Sequence, residues 1–172
     1  MRGWMRPLIL SALILGAAPF VAGGALAQNS GGQNTGKPAG KEAPKTVSGS
    51  AIAQAPFADQ PFPLLDDGTF KEFMTAAAAD IDRRCTKLES YGWEFKKGDD
   101  ARRDQILEST LGGFRKAGWK IGEVNVRSIR DPGTTVYTAE KAKQRFLAVW
   151  TPMEDAAILL LCETEAAQAP KK

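Results

Sequence analysis

Two cysteines are the residues best equipped for chemistry in this chain of 172 residues. Cys85 stands in 81-IDRRCTKL-88 and Cys162 in 156-AAILLLCETEAA-167. Such a thiol can be a nucleophile, a metal ligand, a buried filler or half of a disulfide. Reactive thiols need an exposed electropositive setting or a Cys-x-x-Cys pair. Arg83 and Arg84 precede Cys85, but no second cysteine lies near it. In an oxidising compartment, two core-facing cysteines pair. The loop they close is long, and its chain entropy is worth roughly 4 kcal/mol. The expectation is a structural Cys85–Cys162 disulfide, with a thiol–disulfide redox accessory as a lesser alternative.

Carboxylates are the other candidates. Asp66-Asp67, Asp99-Asp100, Glu154-Asp155 and Glu163 could supply an acid and a base, as paired carboxylates do in glycosidases. Each also has an ordinary role. The first two pairs can cap helices, the third sits in a hairpin turn, and Glu163 ends a strand. Acid–base catalysis needs such groups paired in a cleft, and a small domain has little room for one.

The chain contains no histidine. This removes Ser-His-Asp and Cys-His nucleophile systems, imidazole acid–base catalysis and most zinc and copper sites. No Walker loop, dinucleotide fingerprint, GxSxG or calcium-loop spacing appears. No cofactor and no metal are implied, and no motif is specific enough to assign a family.

The ends of the chain suggest where it works. Met1–Arg6 carries Arg2 and Arg6, Leu8–Val21 is almost wholly apolar, and 25-ALA-27 offers small residues at a cleavage site. This is the pattern of a signal peptide, 1–27, cleaved after Ala27. The competing reading is an uncleaved membrane anchor, weakened by Pro19 and by Gly16, Gly23 and Gly24. The expected location is the periplasm or the cell exterior. Residues 28–55 are rich in Gly, Ser, Gln, Asn, Lys and Pro, with Val47 and Ile52 as the sizeable aliphatics. They read as a disordered tether. Residues 166–172 read as a frayed tail, leaving one domain at 56–165.

The net charge of +3 also divides. Arg2 and Arg6 account for two charges, and Lys37, Lys41 and Lys45 against Glu42 for two more. The remainder, 56–172, stands at −1. It has no net positive field, and nucleic acid is a poor partner for it.

Residues 69-TFKE-72 fit a capping box. Phe70, Phe73, Met74, Ala77, Ile81, Cys85 and Leu88 then recur at helical spacing, which predicts a helix over 69–91 ended by Gly92. A second helix starts at Asp99 or Asp100, carries Ile106, Leu107, Leu111, Phe114 and Ala117 on one stripe, and ends at Gly118. The two ends, 90-SYGWEF-95 and 116-KAGWKI-121, look alike, and the simplest reading is an aromatic packed back on the core after each glycine. Strands follow over 119–126, 134–140, 146–151 and 156–164, separated by polar turns. A helix competes for the apolar 156–164. The result is an α+β domain with two helices on a three- to four-stranded antiparallel sheet, a two-layer sandwich.

On this reading the protein is a small exported binding or accessory module, not an enzyme. Its partner is an envelope protein, a peptide or a small ligand, with membrane contact only through an uncleaved signal. The alternative class is a small carboxylate-dependent envelope hydrolase. The candidate contacts are Trp93, Tyr137, Trp150, Met153, Glu154 and Asp155. Strand 134–140 is the candidate edge for strand addition.

Overall fold

The computed structural model describes residues 45–167. The expected signal peptide, the expected tether up to residue 44 and the expected tail from 168 lie outside the described residues.

Eight strands and two helices follow in chain order. They are β1 (Gly49–Ser50), β2 (Ala55–Pro56), β3 (Phe62–Pro63), α1 (Thr69–Ala79), β4 (Arg83–Glu94), α2 (Asp100–Lys116), β5 (Lys120–Glu123), β6 (Thr135–Lys141), β7 (Gln144–Pro152) and β8 (Ala156–Ala166). β1 and β2 form a small antiparallel pair. The rest make one antiparallel sheet in the order β3-β4-β8-β7-β6-β5. The class is α+β.

The long central strands alternate between two cores. On β7, Phe146, Ala148 and Trp150 face one side, while Leu147 and Val149 face the other. On β8, Leu159 and Leu161 join the first set, and Leu160 and Cys162 the second. Ile106, Leu111 and Phe114 of α2 pack in the first core, and Met74, Ala77 and Ala78 of α1 in the second. Each face of the sheet therefore carries one helix. The sequence placed both on one face, in two layers. β8 is buried on both sides, as its unbroken apolar run requires.

The largest departure is the first helix. It stops at Ala79, and Asp82 takes a left-handed φ of 57°. Aspartate tolerates that conformation because its short side chain can hydrogen-bond locally. From Arg83 the chain is a strand of 12 residues paired along β8. Gly92 lies inside this strand and ends no helix. The ring of Phe62 lies where a Cβ would be, 2.6 Å away, so close approach explains the glycine. Thr69 is not the cap of α1. Asp66 Oδ1 accepts from Phe70 N at 2.9 Å, and Asp67 Oδ1 from Thr69 N at 3.0 Å. Hydrogen bonds from Thr69 hold the Asp67 carboxyl below its ordinary range.

The second helix runs as expected. Asp99 caps it by accepting from Arg102 N at 3.0 Å, and Gly118 follows its end with φ 93°. The approach that Gly113 permits is to Pro56 O, which a Cβ would meet at 3.2 Å.

Residues 45–55, read as tether, are packed. Ile52, Ala53 and Ala55 are buried in the α2-side core. Polar bonds hold them there. Trp119 Nε1 donates to Ala53 O at 2.7 Å, and just beyond the segment Trp93 Nε1 donates to Asp59 O at 2.8 Å. Glu89 of β4 accepts from Ser50 Oγ at 2.6 Å, from Ile52 N and from Tyr91 Oη at 3.0 Å. Burial, and then the Glu89 charge, push the Tyr91 hydroxyl far above the ordinary tyrosine range. Glu89→Ala strips all three donors of their acceptor. The expected cost is about 1–3 kcal/mol. Hydrogen exchange checks it, because Ile52 and Ala53 amides should lose protection before those of β7 and β8.

Candidate functional site

The disulfide is present. Cys85 and Cys162 are bonded, with Cα atoms 5.7 Å apart. It joins neighbouring strands, not a helix to a sheet. The geometry depends on a bulge. Cys85 pairs with Thr164 but Lys87 with Glu163, so Thr86 is an extra residue in β4. Side chains alternate along a strand, which would put Cys85 and Leu88 on opposite faces. The extra residue restores both to the α1 face, where Leu88 stands opposite Cys162. Thr86 Oγ1 donates to Glu163 O at 3.0 Å across the bulge. Cys162 is wholly buried and Cys85 partly so.

The described tryptophans are not at the surface. Trp93, Trp119 and Trp150 are all buried, and the Trp93 and Trp150 rings lie 5.7 Å apart in the α2-side core. Trp119 packs on Phe146 at 4.6 Å. Their indole N–H groups are taken up by backbone carbonyls in two of the three cases, which leaves them no free polar end. Tyr137 is half-buried at the β5–β6 pair. Burial raises its hydroxyl above the ordinary value.

β6 is not an edge. It lies between β5 and β7. The sheet ends at β5 and at the outer side of β4, where β3 covers only Tyr91 and Gly92. The remainder of that side carries the bulge and Lys87, two features that blunt an edge against added strands.

Met153, Glu154 and Asp155 are brought together at the surface. They form the β7–β8 turn, closed by Met153 N donating to Ala156 O at 2.8 Å. Phe95 N donates to Asp155 O and Gly98 N to Glu154 O, each at 2.9 Å. Two loops are thus fastened side by side through the backbone. Between them and the first turn of α2 lies a groove of about 430 Å³. Pro152 and Met153 supply apolar surface, and Met153 is 42% exposed. Lys97 pairs with Glu154 at 2.5 Å, and Arg103 with Asp100 at 2.7 Å, around it. Lys97, Gly98 and Arg103 were missed from sequence, and Asp100 was read there as a carboxylate candidate or helix cap, not as part of this surface. Gly98 was the available signal, since it adopts φ 76° in the turn before α2.

The carboxylate pairs serve local structure. Asp66, Asp67 and Asp99 accept from the first amides of the helices, Asp100 and Glu154 sit in ion pairs at the surface, and Glu163 lies in β8 opposite Phe146 of β7. Among the described residues no cluster of three or more acidic, cysteine or histidine side chains could hold a metal ion. No described helix is long and apolar enough to cross a membrane. Comparison with protein-family models, with curated proteins and with solved structures finds no match for the chain.

Proposed function

We propose that this is an exported, non-enzymatic binding module whose contact surface is the groove beside the β7–β8 turn. The observation that carries the reading is the groove itself. An exposed methionine sits on a turn fixed by three backbone hydrogen bonds, within a ring of four charged side chains. Methionine on a rigid frame suits an apolar anchor from a partner, because its thioether adapts to irregular shapes. The charges are already paired, so they set a polar rim and leave the apolar contact as the energetic centre.

Export rests on the signal-peptide pattern of 1–27 and on the disulfide, which suits an oxidising compartment. Cleavage after Ala27 into a bacterial periplasm is the specific form of the proposal. The partner is a protein or peptide of the envelope that presents an apolar side chain.

A photo-crosslinker placed at position 153, in the full chain expressed with its own signal, tests this. One discrete adduct is expected in the periplasmic fraction. Arg103→Glu, which sets a third acid beside Asp100 and Glu154, should cut adduct yield about tenfold, as like charge on a binding rim does. The melting temperature should stay within a few degrees, since exposed ion pairs contribute little to stability. Adducts that ignore the Arg103 change, or none at all, defeat the proposal.

A further inference from the structure

We infer that the α1 side of the sheet carries a second, separate site, a small pocket that takes a short-chain carboxylate. Beyond the end of α1 lies a cavity of about 220 Å³, bordered by Arg83, Arg145, Thr138, Thr164, Ile81 and Val124. It is below the size of a drug-like pocket, so its occupant is small.

Arg83 is the reason for a ligand. It is half-buried, and among the described residues its side chain makes one hydrogen bond, from Nη2 to Thr164 O at 3.0 Å. Its Nε is sealed from solvent and lacks any hydrogen-bond partner among the described residues, so a ligand meets the guanidinium through its Nη groups. No described carboxylate forms an ion pair with it. A half-buried guanidinium without a counter-charge is costly, and a carboxylate matches its planar fork. Glu140 also borders the cavity, but Arg145 Nε already engages it at 3.1 Å. Two guanidinium groups against one carboxylate leave a net positive charge. The threonine hydroxyls hold only long bonds, Thr138 to Gly122 O at 3.3 Å and Thr164 to Arg145 O at 3.5 Å, and can turn to a better acceptor.

The walls decide the class. Ile81, Val124, Ala139 and Phe146 offer apolar surface beside the charged groups. That suits a monocarboxylate with a short aliphatic chain. A phosphate would bring a second charge towards Glu140 and could not use the walls.

Side-chain NMR of the Arg83 Nε–H group, in the intact oxidised domain, reads the site directly. Sodium butyrate, sodium acetate and inorganic phosphate are titrated against sodium chloride at matched ionic strength. Butyrate should shift the signal saturably, with a midpoint about threefold or more below acetate, as two added methylenes in part-apolar surroundings require. Chloride should give no saturation. Followed by the backbone amide shifts of Thr138 and Thr164, which border the cavity, Arg83→Lys should weaken butyrate about tenfold, because an ammonium cannot form the bidentate pair. If that variant does not fold, Arg145→Gln at an exposed position serves instead. It frees Glu140 to repel the ligand and should also weaken butyrate. An unresponsive Arg83 signal, equal linear drift in every salt, or phosphate saturating ahead of butyrate overturns the inference.

Discussion

Replacing Cys85 and Cys162 together, as Cys85→Ala with Cys162→Val, lowers the unfolding free energy by roughly 3–4 kcal/mol on chain-entropy grounds. The bond closes a loop across 77 residues. That loop holds both strand-to-helix connections of α2 and all of β5, β6 and β7. Once the bond is gone, the unfolded chain regains the freedom of that whole segment. The native state loses little, because Leu88 already stands against Cys162 through strand pairing and valine fits an apolar, wholly buried position. Urea unfolding measures the effect. The midpoint should fall, and the slope should rise as the unfolded state expands. A midpoint unchanged within error would mean that residual structure already restrains the unfolded chain without the bond. The single change Cys162→Ser should cost more than Cys85→Ser, since it leaves an unpaired hydroxyl where there is no solvent.

The same bulge explains why the first half of the sheet was illegible in sequence. Ile81, Cys85 and Leu88 are spaced by four and three, which is the signature of a helix face. An extra residue in a strand produces the spacing of three equally well, because it converts an odd interval into a same-face pair. Only the partner strand decides between them, and β8 lies more than 60 residues downstream, as the pairing of Leu88 with Cys162 shows. A local signal did exist. Glu89, Tyr91 and Trp93 alternate with Leu88, Ser90 and Gly92, and this period of two is what the strand uses. The β6–β7–β8 meander was legible for the opposite reason. Its turns are short, polar and local, so register follows from neighbours in sequence.

The tether boundary was misplaced by composition. Residues 45–55 have few aliphatics, yet Ile52 and Ala53 are buried because distant side chains satisfy their backbone. Trp119, just before β5, and Glu89 of β4 supply those bonds, and no local window contains either. The groove was half legible. Met153, Glu154 and Asp155 belong to a turn that proline and acids announce, whereas Lys97 and Arg103 join it only through the packing of α2 against the sheet end.

Trp150→Ala separates the two meanings an aromatic can carry. Trp150 is 2% exposed, stands opposite Leu159 on β8 and Thr135 on β6, and packs on Trp93. Truncation there opens a cavity between β7 and α2, with an expected cost of about 3–5 kcal/mol. That is a large part of the stability of a domain this size, commonly 5–15 kcal/mol. Met153→Ala, three residues on and at the surface, should change stability by less than about 0.5 kcal/mol. Urea unfolding followed by tryptophan emission reads both, since Trp93, Trp119 and Trp150 are buried and must move to longer wavelength on exposure. The contrast bears on any binding assay. Loss of a partner in Trp150→Ala reports a damaged core, while the same loss in Met153→Ala, with the emission unchanged, reports a contact. If Trp150→Ala instead kept full stability and lost the partner, the indole would have to be reachable from solvent, contrary to its place between the two central strands and α2.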